Sequence, residues 1–343
     1  MFEKLKQNKE LWDLFTKKEE YNAPVLDKHQ RFPYIASKYK NILEPKVSKF
    51  LIENGFKFEY PKNKKFAVCL THDIDDIYPS WKYRIFTSFK FGLKLKFKNT
   101  YDRFFKKENP YWNFREIIEL EKKYNAKSSF YFMTAEKDIH GFRYRINDLK
   151  DVLKYIIEND CEVGLHGGYY SYNNLKKIKN EKKKLEKIIS RKVIGYRNHF
   201  LRFKVPDTWR LLYKAGFKYD TTFSYADMIG FRNGMCHPFK PYDLSTNEKI
   251  DIIEIPLIIM DGTLFEYMKL DINEAWKISK KLIGIVERYN GVLTVLWHNT
   301  SFDDIFYKGW NAVYKKILSY CYNENAWMTN GEEIHKWWMK NEY

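Results

Sequence analysis

The sequence predicts an α/β protein built on a parallel sheet, and three observations carry that prediction. Short β-branched or aromatic runs alternate with helical patterns, an order that implies parallel strands joined by crossover helices. Polar residues recur where those runs stop: Asp73 and Asp75, His166, Arg197, Asp220 and His298. In a β/α barrel the C-terminal strand ends are where a site is assembled. Finally, 44% hydrophobic and 18% aromatic content over 343 residues supplies a sizeable core and excludes a disordered chain, at a length that one barrel can fill.

Residues 1 to 62 are charged and mixed. Leu11, Leu14 and Phe15 predict a short helix, prolines 24, 33 and 45 interrupt the stretch after it, and Lys46 to Asn54 predicts a second helix stopped by Gly55. This is an N-terminal helical extension packed on a main domain, 63–343. Phe66 to Leu70 is the first buried strand, ending in Thr71-His-Asp-Ile-Asp-Asp76. An insertion at about 78–111 comes next. Within it, Trp81 to Lys107 holds nine Lys or Arg, nine aromatics and the single acid Asp102. Its aromatics are expected to cover the barrel while its lysines face water; the alternative is a basic lip that grips a glycan or a membrane surface.

Beyond it the alternation is regular. Strands are predicted at 128–133, 162–165, 193–196, 218–221, 252–259 and 292–297. Helices are predicted at 116–124, 147–158, 174–190, 206–215, 273–289, about 306–320 and 331–340, with Pro206 in a first turn, where it is tolerated.

The net charge is +17, with 49 Lys against 12 Arg, a bias that reads first as a solvated basic surface. An anionic partner such as an acidic glycan or a lipid-linked precursor is the sharper reading. No nucleic-acid-binding motif accompanies the charge, so specific nucleic-acid recognition is not expected. The four cysteines are far apart and read as small buried hydrophobes. The first ten residues lack the apolar core of a secretion signal, and no stretch approaches the ~18 apolar residues of a membrane span. A cytoplasmic location is expected, with peripheral membrane contact through 81–107 as the alternative.

Asp73 and Asp75 would project to the same side of an extended strand. Two buried carboxylates at one strand mouth are costly unless a cation or proton lies between them. His166 precedes Gly167-Gly168, His199 lies two residues after Arg197, and His298 closes the last long strand, whereas His29, His140 and His335 read as ordinary structural histidines. One carboxylate with two imidazoles is the donor set of a hydrolytic Zn²⁺, Fe²⁺ or Co²⁺ site. A second carboxylate would then act as base and a further histidine as acid.

Over about residues 64–335 the chain resembles the polysaccharide deacetylase superfamily (NodB homology, carbohydrate esterase family 4), in the branch whose first motif reads Thr-His-Asp-x-Asp. Thr71-His-Asp-Ile-Asp75 matches that motif, and Gly164-Leu-His-Gly-Gly-Tyr-Tyr-Ser171 matches the second. The resemblance implies an irregular (β/α)7 barrel and removal of acetyl groups, chiefly from nitrogen, from a sugar of a surface polysaccharide or its precursor. It implies Asp73 as base, Asp75 and His166 as metal ligands, Arg197 as the holder of the base, and His298 as acid. The bound divalent metal would be zinc, with iron, cobalt or nickel as alternatives. Tyr170 stands where the family's second histidine is expected, and His199 is the candidate for the third ligand. Tyr219-Asp-Thr-Thr-Phe-Ser-Tyr-Ala-Asp227 lacks the Trp of the fourth motif. Tyr170, Arg232 and Asp220 are candidate substrate contacts, Arg232 for an anionic group. Two other functions compete: a non-catalytic glycan- or membrane-surface-binding protein, and an amide hydrolase with a non-sugar substrate.

Overall fold

The computed structural model describes residues 1–79 and 109–341. The basic aromatic stretch Trp81–Lys107, with the lip and membrane readings attached to it, lies outside the described residues.

A nine-stranded parallel sheet forms the centre. Its strands are β1 (Ala67–Ile74), β2 (Ser129–Met133), β3 (Glu162–Gly167), β4 (Gly195–Asn198), β5 (Tyr219–Asp220), β6 (Ile253–Glu254), β7 (Leu257–Met260), β8 (Val292–Leu296) and β9 (Trp327–Thr329). The spatial order is β6-β5-β4-β3-β2-β1-β8-β7, with β9 beside the first half of β1. The two ends of this order, β6 and β7, are consecutive pieces of one extended run. Their covalent link brings the sheet round on itself, so β6/β7 counts as one stave of a seven-stave barrel.

The expected single strand over 252–259 is therefore two. Pro256 between them has no N–H for a ladder. Ile255 N–H still bonds Asp220 O on one side, and β7 turns to pair with β8 on the other. β1 runs further than its apolar stretch suggested, to Ile74, because its inward residues line a polar lumen. The short strand β9 was not foreseen; three residues, one of them Trp327, carry no detectable period.

The helices are α1 (Phe2–Lys6), α2 (Lys9–Phe15), α3 (Lys46–Glu53), α4 (Phe114–Lys122), α5 (Lys150–Glu158), α6 (Leu175–Ile189), α7 (Asp207–Lys214), α8 (Ile272–Arg288), α9 (Trp310–Asn323) and α10 (Gly331–Lys340). Their ends follow local chemistry. The Asn174 side chain accepts from Lys177 N–H to start α6, and Asp271 and Glu274 form a capping box on α8. Pro206 occupies the cap of α7, one residue before its first turn.

The N-terminal extension is part of the same core. Leu5, Leu14, Phe15, Val47 and Leu51 are buried in one cluster with Met235, Phe239 and Tyr242 of the barrel domain. Burying each such side chain is worth about 1.5–3 kcal/mol. A buried ion pair between Glu20 of the extension and Arg232 of the barrel, 2.5 Å apart, fixes the register of the two surfaces.

Candidate active site

Strand alternation builds the site. Along β1, Cys69 packs inside the barrel with Tyr131 and Tyr219, Val68 and Leu70 pack outside under the helices, and Thr71, Asp73 and Asp75 continue the inward series. His72 points outward. Its Nδ1 bonds Trp297 O (2.7 Å) and its Nε2 bonds Glu121 of α4 (2.8 Å), whose carboxylate also accepts from Tyr314. The histidine of the first motif is thus a strand-to-helix tie, remote from the chemistry.

Asp75, His166 and His199 meet at the mouth, the three-residue group that could hold a metal among the described residues. Asp75 Oδ1 lies 3.0 Å from His166 Nε2 and 3.2 Å from His199 Nδ1, and the two ring nitrogens are 3.1 Å apart. The far side of each ring is committed. His166 Nδ1 lies 3.1 Å from the carbonyl of Arg197, and His199 Nε2 lies 3.0 Å from Asp138 Oδ2. Protons on those far nitrogens leave the lone pairs of Nε2 and Nδ1 facing Asp75, the arrangement a metal-ligating imidazole requires. Asp75 Oδ1, though buried, makes no well-formed hydrogen bond. Donor atoms this close, with outer partners fixing each tautomer, fit a divalent cation.

The electrostatics agree. Burial would raise the carboxyl pKa of Asp75, but His199 and His166 hold it well below its ordinary value. Burial opposes charge on His199, yet Asp75 and Asp138 outweigh it and raise the ring to about 9. A cation entering the group must displace that proton.

Below the triad lies Asp73. Arg197, fully buried, sets Nη1 3.6 Å from Asp73 Oδ2 and donates through Nη2 to Thr71 and Thr221. Asp73 Oδ1 is buried without a hydrogen-bond partner, and Asp73 is among the residues lining the cavity above. Across the mouth, His298 Nδ1 is 2.7 Å from Asp261 Oδ1, its backbone N–H donates to Asp261 Oδ2, and Ser301 donates to the same oxygen. Burial opposes charge on His298, but the Asp261 carboxylate prevails and raises the ring to about 10. Its Nε2 points back toward Asp75, 3.8 Å away. Asp73 and His298 thus flank the triad as a carboxylate and a cationic imidazole.

The structure brings six of the nine expected residues together: Asp73, Asp75, His166, Arg197, His199 and His298. The other three are elsewhere. Tyr170 is 51% exposed, with Lys177 over its ring; the turn after Gly167-Gly168 sends it to solvent. Arg232 is 3% exposed, its guanidinium bonds Glu20 and Ser224 O, and it is not among the residues lining the cavity above Asp73. Asp220 shares the outward face of β5 with the outward Tyr196 in register; it bonds Thr222 and lies beside Glu254 under α7.

Asp138, Asp261, Arg143 and Arg31 were not foreseen. Arg143 bridges Asp138 (2.9 Å) and Asp76 (2.7 Å). Asp261 lies in the stretch Pro256–Thr263, whose pattern stood out without a chemical role. Asp138 and Arg31 sit in segments with no periodicity to mark them.

The turn carrying His199 is strained. Phe200 and Leu201, neither a glycine, have φ of 61° and 51°. Each such left-handed residue costs on the order of 1–3 kcal/mol and persists only where its surroundings enforce it. Above the turn opens a cavity of about 390 Å³, at the small end of the range for ligand pockets. Its floor holds Asp73, the triad and His298, and its walls include Phe200, Phe265, Tyr267, Tyr307 and Trp310.

No family model matches the sequence, and no curated protein does. Solved structures do match. A Mycobacterium smegmatis protein described as a polysaccharide deacetylase superposes with a TM-score of 0.57 at 14% identity, over 83% of this chain and 94% of its own. A Pseudomonas aeruginosa protein of the same description gives 0.57 at 11%, over 82% and 93%. The fold is that of the polysaccharide deacetylases. Puue allantoinase shares it, with a TM-score of 0.58 at 12% identity over 89% of this chain and 98% of its own. Within this deacetylase fold the residues at the mouth, and not the likeness, must carry any statement of activity.

Proposed function

We propose that the protein is a metal-dependent hydrolase that removes acetyl groups, N-acetyl first, from a sugar of a surface polysaccharide or its precursor. The observation that carries this reading is the convergence of Asp75, His166 and His199 within 3.0–3.2 Å, beside a carboxylate and a cationic imidazole at the floor of one cavity. Asp75, His166 and His199 would hold the cation, zinc by donor preference with iron, cobalt or nickel as alternatives. When bound, it supplies Lewis-acid polarisation and acidifies water.

The chain's own residues supply the rest. Asp73 takes the proton of the attacking water through its unpartnered Oδ1, and Arg197 keeps that carboxylate in place. His298, held by Asp261 with Nε2 toward the cavity, gives its proton to the departing nitrogen or oxygen. The aromatic walls suit the apolar face of a sugar ring. The polysaccharide deacetylases named above support the reading by sharing the fold. The expected place of action is the cytoplasm, on a precursor. Among the described residues no helix is long and apolar enough to cross a membrane.

The small cavity, together with the likeness to an allantoinase, favours one alternative: an amide hydrolase with a small non-sugar substrate. Acetate release from a panel of N- and O-acetylated sugars, with and without chelator, separates the two. Chelator-sensitive acetate release supports deacetylation. Hydrolysis of allantoin with no acetate from any sugar would establish the alternative.

A further inference from the structure

The N-terminal extension reaches the metal-site turn through a reciprocal pair of arginines. From the extension, Arg31 Nη1 donates to the carbonyl of Phe200 (2.8 Å) and Nη2 to the hydroxyl of Tyr267 (3.0 Å). From the barrel, Arg202 Nε donates to the carbonyl of His29 (2.8 Å) and Nη1 to Tyr169 O (2.5 Å). Residues 29 and 31 thus grip 200 and 202, one bond running each way. The rings of His29 and Phe200 pack between the two bonds, centroids 4.5 Å apart.

The Arg31 end is itself rigid. Asp27 accepts from the backbone N–H of His29 and Arg31 and from Arg31 Nε, so the guanidinium is aimed before it meets the turn. A lysine ammonium, which has no planar fork, could not hold Asp27, Phe200 and Tyr267 in this geometry at once.

The residue gripped, Phe200, directly follows His199 and begins the left-handed pair Phe200-Leu201. Such a pair persists only where its surroundings enforce it, and His199 is joined directly to it. On the other side Asp138 fixes the ring's Nε2 and Asn198 Nδ2 donates to the His199 carbonyl (3.0 Å), but neither bond reaches the left-handed pair. In the second motif Tyr170 supplies no ligand, so the geometry of the site depends on this turn.

We propose that Arg31 is a positioning residue for the metal site: the extension, through the Arg31–Phe200 bond, holds the strained turn that presents His199 as third ligand. The proposal rests on the triad being a metal site, and not on which substrate is hydrolysed. It makes the extension a component of the centre as well as a packing surface.

The test measures Zn²⁺ affinity of the full chain by competition with a chromophoric chelator, without substrate. Arg31→Ala is expected to weaken zinc binding about tenfold or more, as removal of an outer partner of a metal ligand does, and Arg31→Lys to recover only part of it. In a His199→Ala background Arg31→Ala should add nothing, because its effect passes through His199. Lys49→Ala, in the extension and remote from the turn, should leave affinity unchanged. Zinc affinity unchanged in a folded Arg31→Ala chain overturns the proposal, as does an equal further loss in the His199→Ala background. If Arg31→Ala does not fold, Arg31→Lys carries the same comparison, and wild-type affinity there overturns it. Because no substrate enters, an Arg31-dependent zinc site in a chain that releases no acetate would sink the functional reading and keep this one.

Discussion

The two ends of the barrel use the same residue types to opposite effect. At the bottom, Glu162 of β3 is buried and saturated: it accepts from Tyr219 (2.7 Å), Ser129 (2.6 Å) and Glu332 N–H (2.9 Å). Tyr131 and Tyr219 meet hydroxyl to hydroxyl across the lumen. Their side chains fit because Gly164 and Gly195 lack the Cβ that would collide with Tyr131 and Tyr219. At the top, Asp73 and Asp75 each keep a buried oxygen without a hydrogen bond, and Arg197 keeps Nε and Nη1 likewise, all beneath a cavity. A buried carboxylate whose partners are all present is architecture. One left short, where a ligand can reach it, is chemistry.

That contrast breaks most visibly at Asp73. Asp73→Asn should lower kcat by about 10²–10⁴-fold, the scale of losing a general base, while zinc affinity changes little. Wild-type turnover in that variant would show that the top is as inert as the bottom.

Asp261 is the next lever. Burial opposes charge on His298, and Asp261→Asn removes the strongest influence raising its pKa, leaving only Asp75 and Asp73 to oppose burial, so the imidazolium gives up its proton at lower pH. The alkaline limb of kcat/KM should move down by roughly one to three pH units. An unmoved limb would remove His298 from the acid role.

The bottom end offers the smallest effect, and one on stability alone. Burial raises Glu162 from 4.5 to about 7. Between those values the folded state binds more protons than the unfolded state, so stability is greatest below pH 4.5 and falls as pH rises toward 7. The loss is at most about 3 kcal/mol. Glu162→Gln should flatten that slope in denaturant titrations at pH 5 and pH 8, with kcat within about twofold of wild type. A large loss of kcat would mean the two ends are not separate.

Much of this architecture was legible because it obeys period two. Asp73 and Asp75 share a face with Cys69 and Thr71, and His166, Arg197 and His298 close apolar runs, so strand ends alone collect them. The partners that tune them were not legible. Asp138 and Asp261 come from connections between strands, where no period marks a residue, and they meet His199 and His298 only through tertiary structure. The burial of Arg232 was not legible because its partner, Glu20, is 212 residues distant and lies in the extension. For the same reason the extension's part in the site, through Arg31, could not be read from spacing. Tyr170 stands where the second motif's other histidine is expected, but that its ring faces solvent beside Lys177 could not be read from spacing.

The central claim is that Asp75, His166 and His199 hold one divalent cation. Elemental analysis of the full chain purified without chelator, beside Asp75→Ala, tests it most directly. Close to one transition-metal ion per chain is expected in the wild type, with a large loss in the variant. A folded wild-type protein that retains and takes up no such ion, or an Asp75→Ala chain that holds it equally well, would contradict it.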